Sequence, residues 1–196
     1  MTLVLASGSR ARQALLANAG IAFEAVPAAL DERAAEQPLI DAGAPPEDLV
    51  ATLALAKAMQ VSERRPGDLV IGADQMLALG GERFVKPEDM EAARRQLLRL
   101  SGKTHALHTA AAVIRSGEIL WQHTEMAHLT MRRLGPAEIG RYLAEIGPQA
   151  LESVGAYQLE GRGVRLFDKV EGDFFGILGL PLLPLIRFLR EQGEVE

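Results

Sequence analysis

Four short apolar runs bounded by turn-forming residues set the frame of the chain: Leu3 to Ala6, Asp68 to Gly72, His105 to Ile114 and Arg165 to Val170. Runs of this length between Gly, Pro, Ser or Asp positions read as strands. Between them apolar residues recur at three- and four-residue intervals, the helical period. Arg12 to Ala19 ends at Gly20, and Pro46 to Ser62 places Leu49, Leu53 and Ala56 on one face with Glu47 and Asp48 in its first turn. Pro87 to Leu100 opens on Glu88, Asp89 and Glu91, carries Arg94, Arg95 and Arg99 toward its end, and stops before Gly102. Pro136 to Ile146 and Pro181 to Gln192 complete the series, each with a proline at its start and a glycine beyond its end. Strands alternating with helices predict an α/β layered fold. Glu24 to Ile40 follows neither period and is expected to be strand plus loop. Phe174 to Leu189, the most apolar stretch, is expected to be a buried strand end running into a core helix. It falls short of the ~20 residues a bilayer requires and holds Pro181, Pro184 and Arg187.

Composition narrows the class. A chain of 196 residues, 48% hydrophobic and 24% charged, has the balance of one globular domain. Folding at this length buries roughly 70% of the unfolded surface, so neither disulfides nor a structural metal is required. The absence of cysteine excludes zinc ribbons, thiol nucleophiles and thioredoxin-like redox chemistry. Gln37 to Pro46, with Gly43 and three prolines, is too short to separate domains, and no internal repeat is present. A single domain spanning residues 1–196 is expected. Lys and Arg number 21 against 26 Asp and Glu, a net charge of −5 with no basic run, which argues against a nucleic-acid partner. No charged region precedes the short apolar N-terminal run, so a cytoplasmic protein with no membrane association is expected.

Three groups of residues carry candidate chemistry. In Leu3-Val4-Leu5-Ala6-Ser7-Gly8-Ser9-Arg10-Ala11-Arg12 a strand breaks into a Ser/Gly turn that opens a helix. Free N–H groups, the positive helix end, two hydroxyls and guanidinium groups would meet there around a phosphate, although a serine N-cap with solvated arginines produces the same pattern. Asp74 follows an apolar run at what should be the carboxyl end of a strand, the rim where open α/β sheets bind ligands. It is placed to hold a cation or orient water, or else to close a turn; Gly72 just before it permits close approach of a ligand or of backbone. Lys57 sits in an apolar helical stretch, with a partly buried stem and an ammonium that either reaches solvent or serves a site. Lys86 precedes Pro87 in an extended conformation. Asp31 and Glu32 offer hard oxygen donors. His105 and His108, three apart on a strand, face opposite ways and cannot chelate one ion.

Taken together these positions resemble the Maf family of nucleoside triphosphate pyrophosphatases over nearly the whole chain. Leu5-Ala6-Ser7-Gly8-Ser9 with Arg12, Asp31-Glu32, Lys57-Ala58, Gly72-Ala73-Asp74-Gln75, Lys86-Pro87, Leu100-Ser101-Gly102-Lys103-Thr104-His105, Gly155-Ala156-Tyr157, Glu160-Gly161 and Gly179-Leu180-Pro181-Leu182 fall in the family's order. The resemblance implies a mixed twisted sheet flanked by helices, bilobed around a central cleft. It implies hydrolysis of a nucleoside triphosphate to the monophosphate and pyrophosphate with Mg²⁺ or Mn²⁺, clearing non-canonical or modified nucleotides. It also implies a homodimer, and allows a non-catalytic nucleotide-binding regulator of septum formation as the alternative. By the same resemblance Asp74 is the general base, shared with the metal, and Glu32 lies near the metal. Ser7, Ser9 and Arg12 form the phosphate-binding loop, and Lys57 and Lys86 contact phosphate. Gln75 and Glu160 match the subgroup acting on 7-methyl-GTP, where a glutamate could accept from a guanine N1–H and 2-amino group. Ala11 departs from both subgroup patterns, standing where the dTTP/UTP subgroup has arginine and the 7-methyl-GTP subgroup tends to have an aromatic tryptophan.

Overall fold

A computed structural model describes residues 2–196. The elements run β1 (Leu3–Leu5), α1 (Arg10–Asn18), β2 (Glu24–Ala25), α2 (Glu32–Asp41), α3 (Pro46–Arg64), β3 (Leu69–Leu79), β4 (Glu82–Phe84), α4 (Met90–Leu100), β5 (Thr104–Arg115), β6 (Glu118–Met131), α5 (Pro136–Ile146), β7 (Phe167–Glu171), α6 (Phe174–Ile177) and α7 (Leu182–Glu191). Seven strands form one mixed sheet in the order β2-β1-β3-β5-β6-β7, with β4 paired to β3. β1 lies parallel to β2 and β3, while β3/β4 and β6/β7 are antiparallel. This is the expected α/β architecture.

The chain divides into two compact units. The first holds residues up to Gln75, His108–Glu125 and Asp173–Glu196; the second holds Met76–Leu107 and Met126–Gly172. In the first unit the period-2 alternation of the strands decides which helix each residue meets. Leu3, Leu5, Leu69, Ile71 and Ala73 pack with Leu15 and Leu16 of α1 and Leu185, Phe188 and Leu189 of α7. Val4, Ala6 and Val70 turn the other way onto Ala58 and Val61 of α3. A parallel pair buried on both faces needs this near-continuous apolar sequence. In the second unit, Leu97 and Leu100 of α4 and Ile139 of α5 are fully buried.

Several boundaries differ from the sequence reading, each for a local reason. β3 does not stop at Gly72 but continues through Asp74 to Leu79, because Met76, Leu77 and Ala78 stay buried and Leu77 to Leu79 pair with β4. Asp74 therefore lies within a strand, not in a turn beyond its end. Glu24 to Ile40 contains helix α2, whose N-cap Asp31 accepts from the Ala34 N–H at 3.0 Å. None of its residues is buried, so no apolar stripe announces it, and Pro38 sits inside it. β6 carries polar residues along much of its length and shows regular burial only near its end, at Ala127, Leu129 and Met131. The segment from Phe174 is a one-turn helix capped by Asp173, not a strand end. The expected strand from Arg165 begins at Phe167, after a 3₁₀ turn over Arg162–Leu166. The helix expected from Pro87 starts at Met90 with Asp89 as its cap. Among the described residues no helix is long and apolar enough to cross a membrane.

Candidate active site

Gly72 sets the geometry of the site. A Cβ built there would lie 2.1 Å from the Ala54 carbonyl oxygen and 2.7 Å from the Ala58 nitrogen, so only glycine lets the α3 backbone come this close to β3. It is the close approach that the sequence admitted, and the neighbour is backbone. Lys57 lies on that packed turn of α3, and its Nζ is 2.6 Å from Asp74 Oδ1 and 2.9 Å from Glu32 Oε1. Lys57 and Asp74 are 11% and 10% exposed in their side chains, whereas Glu32, at the start of α2, is 53% exposed. A second pair of bonds ties the segment before α2 to α3: Gln60 accepts from the Ala29 N–H at 2.7 Å and donates to the Ala29 carbonyl at 3.1 Å.

The opening turn meets the same strand at the Ala73 carbonyl. Ser7 is buried, and its hydroxyl oxygen accepts from the Ser9 N–H and from Arg12 Nη1, both at 3.2 Å. Ser9 caps α1 through a long 3.5 Å contact with the Arg12 N–H. Arg12 is a clamp as well as a cation: Nε donates to the Gly179 carbonyl at 2.7 Å and Nη1 to the Ala73 carbonyl at 2.9 Å. Ser9 is thus the N-cap of α1, while Arg12 is bonded within the protein and not solvated. Gln75 directs Nε2 to the carbonyls of Gly176 (2.9 Å) and Ile177 (3.0 Å) and to the Thr109 hydroxyl (3.0 Å).

Electrostatics follow from burial. Desolvation pushes the Asp74 carboxyl above its ordinary value, while the Lys57 ammonium and the Arg12 guanidinium pull the other way. Burial lowers the Arg12 guanidinium, opposed by Asp74 and Glu32, and an arginine stays charged regardless. A buried carboxylate with a raised affinity for protons and adjacent fixed cations can accept a proton from water while anionic oxygens are held nearby.

Asp74 and Glu32 are hard oxygen donors that already converge on one cation. No group of three or more His, Asp or Glu able to hold an ion exists among the described residues. The set fits a magnesium-type ion that keeps waters and arrives with phosphate oxygens, which needs only one or two carboxylates.

Ser7, Ser9, Arg12, Glu32, Lys57, Asp74 and Gln75 thus all belong to the first unit. Lys86 and Glu160 belong to the second and are exposed, Lys86 in the segment between β4 and α4 and Glu160 in a turn after Tyr157. Sequence reasoning passed over Thr109 and the carbonyls of Ala73, Gly176 and Gly179, because backbone acceptors have no residue signature. The Gly179-Leu180-Pro181 motif was the available hint.

Comparison with known proteins agrees. The family model described as Maf-like protein matches residues 2–192. A 7-methyl-GTP pyrophosphatase of Mesorhizobium japonicum is 59% identical over 194 residues, 99% of this chain and 98% of the relative. One from Brucella abortus is 57% identical with the same coverage. A nucleoside triphosphate pyrophosphatase of Rhodopseudomonas palustris is 54% identical over 97% of this chain and 93% of its own length. With the family model matched over residues 2–192, the Ser7–Arg12 turn bonded to β3 beside Asp74, Lys57 of α3 paired to that carboxylate, and relatives named as nucleotide pyrophosphatases, the chain belongs to the Maf-like protein family.

Proposed function

We propose that the protein hydrolyses nucleoside triphosphates to the monophosphate and pyrophosphate, with 7-methyl-GTP or another modified nucleotide as substrate. The observation that carries this reading is the convergence of Lys57, Asp74 and Glu32 within 2.9 Å contacts beside an Arg12–Ser7 turn. The names of relatives at 57–59% identity support the substrate class.

In this reading Ser7, Ser9, Arg12 and Lys57 bind and orient the phosphate oxygens, and Lys86 adds a further contact on the resemblance alone. Asp74 takes the proton of the attacking water. The water oxygen bonds to the α-phosphorus as the bridging α–β oxygen leaves with pyrophosphate, and the fixed cations neutralise the charge that spreads over the phosphoryl oxygens. Mg²⁺ or Mn²⁺, held by Asp74 and Glu32, would add Lewis-acid polarisation of the phosphate. Glu160 is assigned to the base, again by resemblance.

A pyrophosphate-release panel with dTTP, UTP, 5-methyl-UTP and 7-methyl-GTP, with Mg²⁺ or Mn²⁺ and after chelation, tests this. The expected result is pyrophosphate release that chelation abolishes, with base preference altered in Glu160→Gln. Orthophosphate as the product would replace the reading with a phosphatase. Tight binding without turnover, unchanged by Asp74→Asn, would support a nucleotide-binding regulator.

A further inference from the structure

Gln75 follows Asp74 on β3, yet its amide nitrogen faces the protein. Nε2 has two protons and three acceptors within 3.0 Å: the carbonyls of Gly176 and Ile177 and the Thr109 hydroxyl. The amide cannot be reversed, since its oxygen would then oppose two carbonyls that have no proton to give. Thr109 donates its own proton to the Gly176 carbonyl at 3.0 Å, so its hydroxyl oxygen is left to accept from Gln75. The Gly176 carbonyl also receives the Gly179 N–H at 2.9 Å.

These bonds close a ring. Gln75 holds α6; α6 runs directly into Gly179, whose carbonyl accepts Arg12 Nε at 2.7 Å; and Arg12 Nη1 returns to the Ala73 carbonyl at 2.9 Å, one residue before Asp74. Gly179 has φ +101°, and a Cβ on it would lie 3.2 Å from Arg12 Nε, so the seat of the guanidinium requires this backbone. Three of the five Arg12 N–H donors go to Gly179, Ala73 and Ser7, which leaves the Nη2 pair to meet a phosphate in a direction the ring fixes.

We propose that Gln75 is a positioning residue: with Thr109 it anchors the α6–Gly179 segment that seats Arg12 beside Asp74, and it acts on catalysis through Arg12, not by reading the base. The inference rests on the function proposed above, and it can fail separately from it.

The discriminating pair is Gln75→Leu and Gln75→Glu. A positioning role through the Nε2 donors requires both to lower kcat by about 10²-fold, the usual cost of a misplaced group. The loss should apply to every nucleotide hydrolysed, with the 7-methyl-GTP to UTP ratio of kcat/KM unmoved and little added loss in an Arg12→Lys background. A base-reading role through the Gln75 oxygen would instead leave Gln75→Glu active with a changed nucleotide ratio, and that result overturns the proposal. The second readout needs no turnover. Exchange of the Arg12 Nε–H proton with solvent, followed by ¹H–¹⁵N NMR and assigned by its loss in Arg12→Lys, is expected to be slow in the native protein and at least about tenfold faster in both Gln75 variants. Unchanged exchange overturns the proposal. Should a Gln75 variant not fold, Thr109→Val removes a partner of the same network and must move both readouts in the same direction. If the native protein releases no pyrophosphate from any nucleotide while Arg12 exchange responds to Gln75, the function proposed above falls and the anchoring stands.

Discussion

Asp74 is subject to opposing forces: a carboxylate 2.6 Å from an ammonium, in surroundings dry enough to push its proton affinity up. A base tuned upward toward the working pH is the more effective proton acceptor. Activity of the native protein is therefore expected to rise as the pH climbs through the raised Asp74 value. Asp74→Asn should lose about 10²- to 10⁴-fold in kcat and with it that acid limb, as a pH series of pyrophosphate release would record. Stability should move the other way. Because the folded value lies above the ordinary 3.8, the group's contribution is fully present below that pH and lost as the pH rises through the folded value. Asp74→Asn, an uncharged mimic of the protonated acid, is thus expected to need more urea to unfold than the native protein at pH 8, with the gap closing on acidification. A less stable variant at pH 8 would contradict the burial argument.

At the scale of elements, the site depends on how closely α3 can lie on β3. Gly72 is the contact, with the Ala54 oxygen, Ala58 nitrogen and Ala58 Cβ all within 2.8 Å of where a methyl would stand. Gly72→Ala must push the helix away, an overpacking cost of about 1–3 kcal/mol by denaturant titration. Lys57 rides on the displaced turn, so kcat should fall as well, although the atoms a methyl would strike belong to Ala54 and Ala58. Loss of stability with full turnover would mean that the Lys57–Asp74 contact tolerates the shift. α2 depends less on packing than α3, because it buries no residue; Glu32–Lys57 joins it to α3, and Gln60 of α3 bonds Ala29 in the segment before it.

At the scale of the whole molecule, a buried histidine of the second unit contributes to acid sensitivity. His105 is 1% exposed, its Nε2 lies 2.7 Å from the Tyr157 hydroxyl, its Nδ1 has no hydrogen-bond partner among the described residues, and the Tyr157 and Phe167 rings lie against it. Burial lowers its pKa from 6.5 to about 4. The unfolded chain then binds the extra proton between those values, so stability is lost as the pH falls from 6.5 toward 4, with a limiting slope of about 1.4 kcal/mol per pH unit. Urea midpoints across that range should fall more steeply for the native protein than for His105→Gln. Equal slopes would show that the buried imidazole is not the cause.

Local chemistry made much of this protein legible before any coordinates. Apolar runs marked β1, the start of β3, and β5; proline and glycine punctuation marked α3, α5 and α7; the Ser7–Arg12 turn, Lys57 and Asp74 stood out because charged or hydroxyl residues interrupt or follow apolar runs there. Those signals are written in neighbouring residues, so sequence alone determines them. Tertiary structure decided the rest. That Asp74 is within a strand depends on β3 running on to Leu79 among its neighbouring strands, and α2 is a helix capped by Asp31 that no apolar stripe marks. Besides the Ser7 and Thr109 hydroxyls, the partners of Arg12 and Gln75 are carbonyls of Ala73, Gly176, Ile177 and Gly179, those of Arg12 lying 61 and 167 residues away along the chain. A backbone oxygen is the same in every residue, so which one a side chain meets is fixed by the path of the chain through space and by nothing in the letters around it.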